Sequence, residues 1–349
     1  MKSFLNKIIF LSLAILLLSS MQVSAVSNRA GTNAASELLI PVGAKYIAMG
    51  GASVSGVNGL ESIYWNPAGL DRMTYGAAAM FSHMMYIADI SVSYVALGVR
   101  FGGIGTVGLS FKTLGMGDID ITTIDFPDGT GEQFSPQFMT MGLTYSRALT
   151  DRVSVGGTAK IISETIDRVS ATGFAFDVGV QYRNLADVNG LCIGVALKSV
   201  GPGLQFDGNG LLQKMQPEDS NRPLSPYKVI ASTDELPSTM ELGVSYNKNV
   251  NDNSKIEVET AFINHNYEDD AARFGVEYSF MNMFFLRGGY GYALNAGDDP
   301  TGESVSIFGA CFGAGFQYDL GGFDLVVDYA YRQVEYFESN NVFTLKLGF

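Results

Sequence analysis

From residue 75 to the last residue, apolar and polar side chains alternate, and a period of two can be satisfied only by strands with two unlike faces. Val153, Val155, Ala159 and Ile161 alternate with Ser154, Gly156, Thr158 and Lys160. Phe174, Phe176, Val178, Val180 and Tyr182 alternate with Ala175, Asp177, Gly179, Gln181 and Arg183. Met240, Leu242, Val244 and Tyr246 do the same with Glu241, Gly243, Ser245 and Asn247. The pattern predicts about fourteen strands, many near the ~9–11 residues that cross a bilayer when tilted. They are placed at 75–83, 88–101, 105–115, 135–149, 152–167, 173–183, 191–201, 239–249, 254–266, 272–280, 284–293, 307–318, 323–332 and 342–349.

Composition says where the apolar faces go. Hydrophobic residues make up 47% of the chain and charged ones 16%, yet past the first residues no apolar run is long enough for a spanning helix. A closed barrel with an apolar outside and a polar inside resolves this, because every backbone polar group finds a partner in a neighbouring strand. The connections agree. Those at 102–104, 150–151, 184–190, 250–253, 281–283 and 319–322 are short, whereas those at 116–134, 202–238 and 294–306 are long. Short turns on one side and long loops on the other suit a transmembrane barrel. The expected fold is therefore all-β: a transmembrane antiparallel β-barrel of about fourteen strands, embedded in outer-membrane lipid, with both termini on the periplasmic side.

Two local features of the wall carry expectations. Ile90, Val92 and Tyr94 are apolar at even positions, but Val95, Leu97, Val99 and Phe101 take over at odd ones. A one-residue shift flips faces, which predicts a β-bulge near 94–96. The glycines of Gly115-Met116-Gly117 could break pairing at the end of the third strand and form a gate.

The N-terminus reads as a secretory signal. Lys2 and Lys7 precede an apolar run over 8–18, and Val23-Ser24-Ala25 supplies small residues for cleavage after Ala25. The expected organisation is a signal peptide at 1–25, a non-alternating segment at 26–73 and the barrel at 74–349. The middle segment contains Leu38, Leu39, Ile40, Tyr46, Ile47, Met49 and Trp65, too many apolar residues for a solvated tail. It is expected to form an N-terminal hatch or plug in the lumen, with a helical turn over 43–49 ending at Gly50-Gly51.

No catalytic set can be assembled. His83 and His265 lie on distant strands without a cysteine nearby. Gly102-Gly103 and Gly288-Gly289 lack the strand-to-helix context of a phosphate loop and read as tight turns and barrel bends. Cys192 and Cys311 fall on separate strands and are expected to be free thiols. The net charge of −13 excludes a phosphate-neutralising patch and hence nucleic acid. The chain is expected not to be an enzyme and to need no cofactor. One metal candidate stands out: Asp118, Asp120, Asp125 and Asp128 crowd a loop without Lys or Arg, a donor set suited to calcium. The 202–238 loop is a candidate partner-binding or lid element.

Several motifs are also similar to those of a known family. Gly50 and Gly51 in Ala48-Met49-Gly50-Gly51-Ala52, followed by Tyr64-Trp65-Asn66-Pro67-Ala68-Gly69-Leu70, resemble the N-terminal signature of the PorV/PorQ family. That family in turn resembles the FadL-type outer-membrane transporters, whose hatch also carries an Asn-Pro-Ala element. Leu143-Thr144-Tyr145-Ser146-Arg147 and Phe174-Ala175-Phe176-Asp177 extend the similarity. The family often carries adjacent acidic residues before the Trp, where this chain has Glu61 alone. The last strand, with Phe343, Leu345, Leu347 and the terminal Phe349, is similar to the signal read by the barrel assembly machinery. The PorV/PorQ resemblance implies service to type IX secretion, with secreted cargo proteins as partners. The FadL resemblance implies instead a transporter whose partner is a hydrophobic ligand. A mainly structural outer-membrane protein is the third possibility.

Overall fold

The computed structural model describes residues 32–216, 223–294 and 307–349. The expected signal peptide lies outside them. Fourteen antiparallel strands form a closed barrel. In chain order they are β1 (Ala77–Met85), β2 (Ser91–Arg100), β3 (Thr106–Gly115), β4 (Gln137–Ala148), β5 (Val153–Ile166), β6 (Val169–Arg183) and β7 (Leu191–Val200). There follow β8 (Thr239–Asn251), β9 (Ser254–His265), β10 (Ala271–Phe280), β11 (Phe284–Ala293), β12 (Phe308–Asp319), β13 (Asp324–Val334) and β14 (Asn340–Gly348). Each strand pairs with its neighbours in sequence, and β14 returns to β1 through pairs such as Phe81↔Leu345, which closes the ring and leaves no edge.

The polarity of the wall is inverted relative to a soluble protein. On β4, Leu143 is 54% exposed while its neighbour Thr144 is fully buried. On β6, Phe174, Phe176 and Val178 face outward while Asp177 and Gln181 are buried. In water such a surface would be costly in every strand; against hydrocarbon it is the stable arrangement. Phe343, Leu345 and Phe349 share this outer face.

The expected bulge is absent. The ladder runs through Tyr94, Val95 and Ala96 without a shift on both sides, as Ser82↔Tyr94, Phe81↔Val95 and Met80↔Ala96 with β1, and Tyr94↔Lys112, Val95↔Phe111 and Ala96↔Ser110 with β3. β2 is apolar on both faces for a different reason. Val92, Tyr94 and Ala96 point inward into an apolar cluster with residues of the N-terminal segment, while Val95 and Leu97 face out. The expected gate is absent as well: Gly115 pairs with Ser91 on one side and Gln137 on the other.

The segment before β1 contains two short helices, α1 (Ala44–Ala48) and α2 (Ser62–Trp65), and 3-10 turns at Ser36–Leu39, Gly59–Glu61 and Pro67–Arg72. Gly50 and Gly51 follow α1 with φ of 67° and 73°, left-handed values that end the helix. The Pro67–Arg72 turn packs on β4, β5 and β6, α1 packs on β11 to β14, and the Gly59–Glu61 turn packs on β1 and β2. A segment that touches opposite sides of a closed ring and is itself buried lies inside the ring.

Close packing there depends on glycines in the wall. A side chain at Gly179 would collide with Asn66 Oδ1, and one at Gly156 would collide with the Pro67 carbonyl. Gly289, read from sequence as part of a bend, sits mid-strand with the Met49-Gly50 backbone against it. The other glycine run, Gly102-Gly103, does lie in a short turn, with Gly102 at φ of 54°.

Candidate functional site

The Trp-Asn-Pro element is a docking device. The Trp65 indole is 1% exposed, meets Tyr46 and Tyr64 edge to face, and donates from Nε1 to the Val42 carbonyl at 3.1 Å. Asn66 Nδ2 donates to the Val54 carbonyl of its own segment at 2.8 Å and reaches the wall at the carbonyls of Val180 and Val195, each at 3.3 Å. Its Oδ1 accepts from Ala68 N at 3.1 Å, capping the turn that Pro67 opens. One side chain thus ties the lumen segment to β6 and β7. Gly69 packs against the Val57 carbonyl, where no larger residue fits. Tyr64 donates to the Leu39 carbonyl at 3.1 Å. These motif residues hold the segment in place rather than line an open site; of them, only Gly50, Gly51 and Trp65 reach the cavity described below.

Buried charges form a second docking layer. Arg287 donates to Glu277 at 2.6 Å and to Asp328 at 2.6 Å. Lys45 of α1 lies 3.5 Å from Glu277. Lys346 bridges Asp328 at 3.1 Å and Glu61. The single acid before the Trp is therefore an anchor to β14. Farther round, Lys198 pairs with Glu241 at 3.0 Å and Lys160 with Asp177.

The acidic loop does not assemble a metal site. Asp118 accepts from Ser135, and Asp120 accepts from Gln133 at 2.8 Å across a short ladder of Ile119–Asp120 with Gln133–Phe134. Among the described residues no group of three or more His, Cys, Asp or Glu side chains could hold a metal ion, so Asp118, Asp120, Asp125 and Asp128 are not brought together as such a set. Cys192 and Cys311 are free and buried. His83 meets Ser93 at 3.0 Å on the next strand, and His265 lies 3.8 Å from Glu268. The base of the long loop after β7 folds inward: Leu204 and Leu236 are buried with Ala34, Ala35 and Leu38 at the start of the lumen segment.

Above the segment, on the side of the long loops, lies a cavity of about 660 Å³. Gly50, Gly51, Ile47 and Trp65 form its floor. Its walls include Ile40, Ile90, Leu114, Met116, Phe138 and Phe308. Arg273 and Arg332 contribute guanidinium groups. Arg332 is held by Asn340 Oδ1 at 2.9 and 2.7 Å, and the Phe308 ring stacks on it with its centroid 3.9 Å away. Glu268, on the loop after β9, is raised above the usual carboxylate range by burial, with Arg273 opposing the shift. Glu37 sits at the rim and is raised too, first by burial and then by the Glu164 carboxylate.

The wall beside this cavity is incompletely paired. β11 is matched to β10 as far as Ala271↔Ala293. Against β12 the register runs from Phe284↔Phe316 only to Gly289↔Cys311. Among the described residues, Tyr290 to Ala293, Gly309 and Ala310 have no ladder partners across this seam, and the β12–β13 register shifts between Phe308 and Cys311. Gly291, Tyr292, Ala293, Phe308 and Gly309 border both the seam and the cavity. Sequence reasoning missed this opening; the only hint was the small-residue run Gly288-Gly289-Tyr290-Gly291 facing Gly309-Ala310-Cys311.

No known family's pattern matches the chain, and no curated protein matches it. Solved structures do. The toluene transporter TodX of Pseudomonas putida matches at 13% identity and TM-score 0.56, over 88% of this chain and 97% of that one. The toluene transporter TbuX of Ralstonia pickettii matches at 14% and 0.54, over 88% and 98%. A FadL homologue of Pseudomonas aeruginosa matches at 13% and 0.52, over 88% and 98%. The barrel has the FadL-like fold. These likenesses do not support the PorV/PorQ family specifically.

Proposed function

We propose that this FadL-like barrel is a non-enzymatic channel that admits small hydrophobic molecules through the outer membrane. The observation that carries this reading is the cavity of about 660 Å³ directly behind the unpaired stretch of the β11–β12 seam. A ligand entering from the long-loop side meets apolar walls and a closed floor. The straight route to the short-turn side is filled by the lumen segment, whereas the seam leads sideways. Leaving laterally suits an apolar solute, because the hydrocarbon outside is a better solvent for it than water. The matched proteins described as toluene transporters support the same class of cargo.

The test is a reversible closure of the seam. In a Cys311→Ala background, Tyr290→Cys and Ala310→Cys would be oxidised to a disulfide across it. Uptake of toluene into cells or liposomes carrying the protein is expected to fall at least tenfold and to recover on reduction. Uptake unaffected by the closed disulfide would sink the lateral route.

The secretion-linked alternative has one observation in its favour. Ile124, Phe126, Leu224 and Ile230 project from the long loops with their apolar side chains exposed, a surface that a protein partner could cover. A deletion strain scored both for surface display of secreted proteins and for hydrocarbon uptake separates the two. Loss of display with normal uptake would replace the channel reading.

A further inference from the structure

Not every buried carboxylate of the lumen has a buried cation beside it, and two such carboxylates stand together on β9. Lys45, Arg287 and Lys346 are matched by Glu277, Asp328 and Glu61. Two further buried carboxylates, Glu257 and Glu259, share the inward face of β9. Glu257 pairs with Lys255 at 3.5 Å, but that lysine side chain is 38% exposed. Glu259 is 1% exposed, forms no ion pair among the described residues, and has the Ser53 hydroxyl beside its carboxylate. Lys45 is within electrostatic reach of both acids, yet its ion pair is with Glu277. Keeping both of these neighbouring carboxylates ionised with one half-exposed lysine beside them is costly in a low-dielectric interior.

The two carboxylates converge on the lumen segment. At Gly56 a side chain would collide with Glu259 Oε1 and come within 2.8 Å of Glu257 Oε1. Three buried hydroxyls lie close by: Ser53, beside the Glu259 carboxylate, and Ser55 and Ser245, which have no hydrogen-bond partner among the described residues. Ser245 on β8 is directly opposite Glu259 in the ladder. Ser53 adjoins Glu259 from the lumen segment, and Ser55 packs at Gly243, two residues from Ser245 on the same face of β8. Every donor is oxygen, from two structures that must be held together: the segment and the wall.

We propose that Glu257 and Glu259, with the hydroxyls of Ser53, Ser55 and Ser245, bind a hard divalent cation of the calcium class that fastens the lumen segment to β8 and β9. A dication would balance both carboxylates in their ionised form. Two carboxylates and three hydroxyls offer roughly seven oxygens, within the roughly 6–8 that calcium takes, and nothing soft that would favour a transition metal. The site lies below the cavity and is independent of which molecule the cavity takes.

The experiment uses the full chain in detergent micelles, stripped with EDTA and titrated with calcium chloride by calorimetry. One calcium per chain is expected, with a midpoint of thermal unfolding that rises with calcium because the ion binds only the folded state. Glu259→Gln keeps the side chain's shape and removes its charge. It is expected to weaken binding more than about 100-fold, beyond what changes in an outer shell cost. Asp118→Asn with Asp120→Asn, in the outer loop, should leave binding unchanged. A flat titration of the folded wild-type barrel overturns the proposal without reference to any variant, since the carboxyls are then neutralised by protons. Calcium retained in a folded Glu257→Gln/Glu259→Gln chain, or lost in the loop variant, overturns it equally.

Discussion

Gly289 and Gly291 lie two residues apart on the same inward face of β11, yet they face different interiors. A methyl group added at Gly289 would collide with the backbone nitrogen of Gly50. One added at Gly291 would make ordinary contacts, 3.7 Å from Arg273 and 3.9 Å from the Gly50 carbonyl. Below this level, toward the short turns, the lumen is filled by residues 34–73, held by ion pairs, by Asn66 and by close backbone contact. Above it, toward the long loops, the same wall surrounds a cavity and the β11–β12 ladder stops. The packed half gives the barrel a floor, and the hollow half holds the cavity. The change from one to the other takes less than a turn's height of wall.

The contrast can be tested most severely through the packed half. Arg287→Met leaves Glu277 and Asp328 buried without their shared partner, and should cost about 3–5 kcal/mol in denaturant unfolding of the chain in micelles. A loss under about 1 kcal/mol would mean that the charge layer is not part of the floor. Gly289→Ala should cost about 1–3 kcal/mol by overpacking, whereas Gly291→Ala should stay within about 0.5 kcal/mol. Equal costs for the two would erase the distinction between the halves.

Asn66→Ala removes the link to β6 and β7 and should cost about 1–2 kcal/mol. The same variant should expose the lumen segment to protease, with new cuts between residues 34 and 73. An unchanged digest would place the anchoring elsewhere.

Glu37 marks the border between the halves and makes the smallest effect, one of pH. Its carboxyl is raised from an ordinary value of 4.5 in the packed segment. The undocked segment therefore gives up this proton first as pH rises. Docking is strongest below about 4.5 and weakens as pH climbs toward the raised value. Hydrogen exchange at residues 34–41, compared with Glu37→Gln at the same pH, should be up to roughly tenfold faster in the wild type at pH 9 and equal at pH 4. Indistinguishable exchange at both pH values would remove Glu37 from the border.

Much of the wall was legible because alternation is a local property. All fourteen strands lie within a few residues of the expected segments, and the sorting of short turns from long loops follows from the same count. The errors share one cause. Val92 and Tyr94 look like a face change in sequence because their partners, the apolar residues of the lumen segment, are remote from them in the chain. Gly289 looks like a bend because the backbone that needs its space belongs to Met49 and Gly50. The acidic loop looks like a metal site because its carboxylates are near one another along the chain without converging in space, whereas Glu257 and Glu259 of β9 converge at Gly56.

By itself, then, the sequence determined the barrel, its inverted polarity and its two kinds of end, since each follows from residue spacing along one strand at a time. Only the tertiary structure decided how far the lumen is filled, where the seam parts and which charges come together. Those depend on groups more than two hundred residues apart, such as Gly50 and Tyr290 or Glu61 and Lys346. No period in the chain records them, because they arise when the ring closes around the segment.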